Sequence, residues 1–162
     1  MNITLSPYTN EYQKQTINHI ISIQKEELNM KVTHDERDDL SQIEEVYMKN
    51  DKGSFILALY NNNVVGTISI LNISNNKCAL QNMYIHKDFR GTMYNTANKL
   101  LKETLNFAQE HKMKEIYLGT GLDFYAAHKF YERNGFMEVS RKTLPSNFPF
   151  MSVDEKFFEL IL

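Results

Sequence analysis

The sequence holds one cysteine, three prolines and no apolar run long enough to cross a bilayer. Cys78 has no partner for an internal disulfide, which excludes a disulfide scaffold and points to a reducing compartment. A membrane helix needs roughly 18 consecutive apolar residues, and residues 1–5 lack the basic and apolar segments of a secretory leader. The expectation is a soluble, cytoplasmic chain with no membrane partner. No charge sign dominates either: 18 Lys and Arg stand against 20 Asp and Glu, a net −2. That balance gives no reason to expect nucleic acid as a partner. The five histidines (His19, His34, His86, His111, His128) include no pair three or four residues apart. With a single cysteine, this spacing argues against a bound metal. Also missing are Gly-x-x-x-x-Gly-Lys-Ser/Thr, Gly-x-Gly-x-x-Gly and Gly-x-Ser-x-Gly. Kinase, Rossmann dehydrogenase and serine hydrolase readings lose their usual anchors.

What is present reads as one ordinary globular domain. Hydrophobic residues make up 42% and charged residues 23% of 162, enough for a single domain over 1–162 with its own core. Residues 2–6 alternate as a short strand. Thr9 or Asn10 can cap a helix carrying Ile17, Ile20, Ile21 and Leu28 on one face. A second helix is expected over about 38–49, with polar, irregular chain over 29–37 between the two. The period then changes to two. Residues 54–60, 64–71 and 78–85 read as a three-stranded meander, turned by Asn61-Asn62-Asn63 and Asn75-Asn76. After Arg90-Gly91, a helical stripe runs through Ala97, Leu100, Leu101, Thr104, Leu105 and Ala108. A strand over 115–119, a helix over 124–133 stopped by Asn134-Gly135, and strands over 136–139 and 156–161 complete the chain. The order β-α-α-β-β-β-α-β-α-β-β predicts an α/β (α+β) fold, a mixed, mostly antiparallel seven-stranded sheet with helices on both faces.

Asp88-Phe89-Arg90-Gly91 after a strand, and Phe130-Tyr131-Glu132-Arg133-Asn134-Gly135-Phe136 after a helix, carry a more specific signal. In this order of elements they resemble the GNAT (GCN5-related) N-acetyltransferase superfamily, over almost the whole chain. Leu118-Gly119-Thr120, Ala126-Ala127-His128 and Leu144-Pro145 with Phe148-Pro149 are similar to bacterial members. The resemblance implies an acetyl-coenzyme A-dependent transferase acting on a primary amine, with no metal. It implies that the backbone of Arg90, Gly91, Thr92, Met93, Tyr94, Asn95 and Ala97 holds the pyrophosphate. A helix start suits that task, since its free N–H groups and dipole favour an anion. Asn95 stands where the family carries glycine, a place asparagine can take at positive φ, and the loop is about two residues longer than the family's. Met83, Tyr84 and Ile85 correspond to a bulged strand whose backbone pairs with pantetheine, splayed from the strand around Ile116–Leu118. Ala127 and Phe130 correspond to the pantetheine wall, and Phe124 stands where many members have asparagine.

Tyr131 is the expected catalytic residue under this resemblance, because a phenol protonated at neutral pH can supply a proton to the leaving thiolate. No general base is evident. The position of a glutamate in some relatives falls on Ala79, and Gln81 and Asn82 are not bases. Glu26 and Glu27 are candidates for a remote base and for substrate binding. Eight acidic residues over 26–45 (Glu26, Glu27, Asp35, Glu36, Asp38, Asp39, Glu44, Glu45) face only Lys31 and Arg37 in sequence. Their field suggests a cationic amine as acceptor, whether small molecule or peptide; a solvated helix face is the plainer alternative. The apolar loop over 144–154 is expected either to cover the acceptor cleft or to pair two subunits into a homodimer. Two other functions fit the same residues. One is an acyl-CoA-binding regulatory module without turnover, and the other an interaction protein without cofactor.

Overall fold

Asparagines at left-handed φ turn the chain through the first half of the sheet. Asn61 and Asn62, at φ 49° and 62°, join β2 (Gly53–Tyr60) to β3 (Asn63–Asn72), as a two-residue hairpin requires. Asn75 and Asn76, at φ 55° and 60°, lie in the turn before β4 (Lys77–Ile85). β1 (Thr4–Pro7) flanks β2, while β5 (Glu115–Thr120), β6 (Met137–Val139) and β7 (Lys156–Ile161) extend the other side. The seven strands lie in the order β1-β2-β3-β4-β5-β7-β6, and every neighbouring pair is antiparallel except β4–β5. The structure, a computed structural model, describes residues 2–32 and 35–162. Thr33 and His34, within the segment expected to be irregular, lie outside the described residues, as does the side chain of Asp35.

Alternation along β2 assigns the two faces of the sheet. Phe55, Leu57 and Leu59 pack with Ile20, Leu40, Ile43 and Tyr47. Ile56 and Ala58 point the other way, into a cluster with Leu100, Leu101 and Tyr131. α1 (Gln13–Ser22) therefore covers one face, and α2 (Thr96–Glu110) and α3 (Tyr125–Arg133) cover the other. α2 buries Thr96, Leu100, Leu101, Thr104 and Ala108, the stripe its period predicts. A wholly buried leucine such as Leu100 contributes roughly 1.5–3 kcal/mol. Under the 140–154 loop, Phe148 joins Ile73, Ala79, Tyr117 and Phe157 in a third cluster. Among the described residues no helix is long and apolar enough to cross a membrane.

The first third of the chain departs from expectation. Thr9 spends its hydroxyl on the Glu11 carboxylate at 3.2 Å, so its side chain caps no helix. A 3-10 turn (Asn10–Tyr12) leads into α1, and a wide π turn (Ile23–Glu27) ends it. The helix expected over about 38–49 is not a regular α-helix. It is a 3-10 stretch (Asp35–Ser41) kinked at Arg37, then a π turn (Glu44–Met48). Local side-chain bonds explain the break. Ser41 Oγ donates to the Asp38 carbonyl at 2.7 Å, and Arg37 and Tyr47 converge on Asp39 Oδ2 at 2.9 and 2.6 Å. Such bonds compete with a regular backbone ladder.

Candidate active site

Two neighbouring strands pair for three residues and then part. β4 and β5 are in parallel register only at Lys77↔Glu115, Cys78↔Ile116 and Ala79↔Tyr117. Beyond Ala79 each strand keeps its outer neighbour, β4 with β3 and β5 with β7. A bulge helps bend β4 away. Asn82 and Met83 together oppose a single residue, Ile68, and Asn82 sits at φ 57°. The Asn82 side chain is held from three sides. It accepts from Arg37 Nη2 at 2.5 Å and donates to Tyr47 Oη and Ser69 Oγ, each at 3.0 Å. His19 ties α1 to the same strand, its Nε2 at 2.9 Å from the Tyr84 carbonyl. Burial lowers the His19 pKa, so the neutral ring dominates at neutral pH.

The fork opens into a cavity of about 580 Å³. One wall is β4 from Leu80 to Ile85, the opposite wall is Gly119, Thr120 and Gly121, and α3 closes the back through Ala127, Phe130 and Tyr131. Ala79, the position at which the resemblance placed a glutamate, is fully buried in the paired half of the fork, outside this cavity.

The end of α3 explains where Tyr131 points. Gly135 takes φ 90°, and its N–H donates to the Glu132 carbonyl at 3.1 Å, while the Phe136 N–H donates to the Tyr131 carbonyl at 3.0 Å. That pair of bonds is a Schellman stop. It brings the Phe136 ring to 5.5 Å from the Tyr131 ring, which is 7% exposed, and leaves Tyr131 Oη donating to Met83 Sδ at 3.8 Å. Burial, and then the neighbouring Tyr84, push the Tyr131 pKa well above the usual phenol value. The hydroxyl is a neutral proton donor whose protein partner is only a thioether, a weak acceptor.

At the other end of the cavity, α2 begins with unspent donors. The N–H groups of Thr96, Ala97 and Asn98 have no acceptor among the described residues. Asn95 takes φ 54°, the left-handed conformation that a glycine would occupy, and its own N–H donates to the Gly91 carbonyl at 3.1 Å. Arg90, Gly91 and Ala97 line the cavity. Thr92, Met93, Tyr94 and Asn95 do not: Met93 is exposed, and Tyr94 packs its ring against Tyr60 and Phe89. Arg90 is tied on both sides, donating through Nε to the Ile85 carbonyl at 2.8 Å and pairing with the Glu27 carboxylate.

The acidic segment is largely occupied elsewhere. Glu27 lines the cavity but faces Arg90, while Glu26 is exposed and lines none of it. Asp39 serves Arg37 and Tyr47, and Glu45 pairs with Lys49 at 3.2 Å. The 140–154 loop contributes directly instead. Phe148, Pro149, Met151, Val153 and Asp154 line the cavity. Phe124 also lines it, its ring so close over Gly121 that an added methyl there would lie 3.0 Å away. Phe124 thus replaces the expected asparagine with an aromatic wall. Neither Asp154 nor the left-handed Asn82 stands out in the sequence as a site residue. An asparagine inside a mostly apolar strand was the available signal for the second.

A seven-stranded sheet forked between its fourth and fifth strands, with a helix start at one end of the fork and a tyrosine at the other, defines an acyl-CoA N-acyltransferase fold. Residues 17–136 match the acetyltransferase (GNAT) family, and the chain belongs to it. A GNAT-family acetyltransferase from Staphylococcus aureus Mu50 is 39% identical and superposes with a TM-score of 0.92 over 97% of both chains. An acetyltransferase from Streptococcus agalactiae 2603 is 30% identical, with a TM-score of 0.94 over 100% of this chain and 99% of that one. An N-acetylaspartate synthetase from Xenopus tropicalis is 36% identical over 104 residues, 64% of this chain but 38% of that protein. The chain thus spans less than two-fifths of the length of that relative.

Proposed function

We propose that this protein transfers the acetyl group of acetyl-coenzyme A to the primary amine of a small molecule or peptide, by direct attack within a ternary complex. The observation that carries the reading is the fork: β4 and β5 separate beside a neutral tyrosine whose protein partner is a thioether. The free N–H groups of Thr96, Ala97 and Asn98 suit the pyrophosphate, with the α2 dipole adding to their pull. Arg90 and Gly91 flank that end. The exposed edge of β4 over Met83–Ile85 suits the amide groups of the pantetheine arm, which an extended backbone can pair as it would a further strand. Ala127 and Phe130 shape the wall behind it. Tyr131 Oη holds its proton at neutral pH and supplies it to the thiolate as the C–S bond breaks.

For the acceptor, the relatives named N-acetylaspartate synthetase favour an amino acid such as aspartate. The acidic residues near the cleft favour a cationic amine, though most of them are exposed or paired. A thiol-release assay with acetyl-coenzyme A and L-aspartate, spermidine and an alanyl peptide in parallel separates these. The proposal predicts amine-dependent thiol release with at least one of them. Tight binding of acetyl-coenzyme A without release under any acceptor would favour the regulatory module instead, and absence of binding would remove both.

A further inference from the structure

One buried carboxylate in the cavity has no ion-pair partner among the described residues. Asp154 sits at the end of the 140–154 loop, two residues before β7, is 9% exposed and lines the cavity. Its position is fixed by a reciprocal pair: its N–H donates to the Met151 carbonyl at 3.0 Å, and its Oδ2 accepts from the Met151 N–H at 2.9 Å. The carboxyl group packs against Gly119, near the end of β5. A methyl group at Gly119 would come within 2.6 Å of Asp154 Cγ and 2.7 Å of Oδ2. Glycine is needed at 119 to leave room for this acid. Asp154 Oδ1 accepts no hydrogen bond among the described residues, and no cationic nitrogen lies within ion-pair distance of the carboxylate.

The other acids of the cavity are differently placed. Glu27 is bound to Arg90, and Asp123 is exposed to solvent. The ionisable groups around Asp154 are Tyr84 on β4, which also interacts with Tyr131, and Arg141 from the start of its own loop. Gly119 and Thr120 of β5 bring no charge. Burial raises the Asp154 pKa, opposed by its Met151 hydrogen bond and Arg141. Arg141 acts from beyond ion-pair distance, and a buried carboxylate without a close counter-charge is costly unless something positive arrives.

We propose that Asp154 is the general base of this site, receiving a proton from the acceptor as it enters in its ammonium form; the assignment rests on the transferase reading above. The ammonium gives one proton to the Asp154 carboxylate, which frees the nitrogen lone pair. The C–N bond to the acetyl carbon forms and the C–S bond breaks, the sulfur taking the proton of Tyr131. The nitrogen then gives its second proton to the Tyr131 oxygen, directly or through water, and Asp154 returns its own to solvent. An ammonium and a thioester become an amide, a thiol and one released proton.

The test compares wild type, Asp154→Asn and Gly119→Ala with two probe acceptors, L-aspartate, an ammonium at pH 7, and hydroxylamine, largely uncharged there. Asp154→Asn should lose about 10²–10³-fold in kcat/KM for aspartate at pH 7. The loss should shrink toward pH 9.5, where free amine is abundant, and stay within about threefold for hydroxylamine. Binding of acetyl-coenzyme A, followed by thermal shift, should not change, which separates a lost base from a misfolded protein. Gly119→Ala, with Asp154 present but displaced, should reproduce the same pH profile in weaker form. Equal losses for both probes at every pH, or wild-type rates in Asp154→Asn, would overturn the role of Asp154 while leaving the transferase reading intact. If spermidine or the alanyl peptide is the acceptor that turns over, it takes the place of L-aspartate as the ammonium probe; a wild-type protein that acetylates none of these amines would overturn the transferase reading beneath it.

Discussion

Tyr131 on α3 reaches Met83 on the bulge of β4, hydroxyl to sulfur at 3.8 Å, across the back of the gap that β4 and β5 leave. The contact is weak, and the Tyr131 ring is held among other rings, with Phe130, Phe136 and Phe158 all within 6.0 Å centroid to centroid. Its packing value therefore lies in the ring, and its chemical value in the proton. Replacing Tyr131 by Phe keeps the ring. The expected result is a kcat lower by about 10²-fold or more with the affinity for acetyl-coenzyme A unchanged, and a stability within about 1 kcal/mol of wild type by urea denaturation.

Asn95 carries the turn into α2 at φ 54°. Asn95→Gly should fold as well as wild type and bind acetyl-coenzyme A as tightly. Asn95→Val places a β-branched side chain in the left-handed region, at a cost of about 1–2 kcal/mol, and disturbs the start of α2. Calorimetric titration should show weaker acetyl-coenzyme A binding in that variant alone.

Asn82 joins the bulge to a buried network in which Arg37 is 7% exposed. Asn82→Leu removes the Arg37 acceptor and the donors to Tyr47 and Ser69, and strains a left-handed backbone. The expected destabilisation is about 3 kcal/mol or more, read as a lower urea midpoint at an unchanged slope.

His19 makes stability fall in mild acid. Its pKa is lowered from 6.5 in the folded chain, mainly by burial. Above pH 6.5 both folded and unfolded forms hold it neutral. As the pH drops below that value the unfolded chain binds the proton first, so stability declines until the folded form is protonated as well. His19→Gln, which can still donate toward the Tyr84 carbonyl, should flatten this part of the stability–pH curve. Parallel slopes for the two proteins below pH 6.5 would contradict the assignment.

Much of this architecture could be read from local signals. Asn61-Asn62 announces a hairpin, Asn134-Gly135 announces the stop that aims Tyr131, and Asn95 adopts the positive φ expected at a position where the family carries glycine. These are properties of a few adjacent residues. The segment over 35–51 was not legible, because its shape depends on Arg37 and Tyr47 meeting Asp39 and on Arg37 reaching Asn82, 45 positions away. Asp154 was hidden for a similar reason. Nothing near it in sequence distinguishes it from a solvated loop acid. Only Gly119, on another strand, gives it a buried place beside the cavity.

The central claim is that the gap between β4 and β5 receives acetyl-coenzyme A. Crystals grown with coenzyme A test it most directly. The account predicts density for the pantetheine arm between residues 80–85 and 119–121, and for the pyrophosphate at the N–H groups of Thr96–Asn98. Density for the cofactor elsewhere, or β4 and β5 hydrogen-bonded along their full length with no cofactor between them, would contradict it.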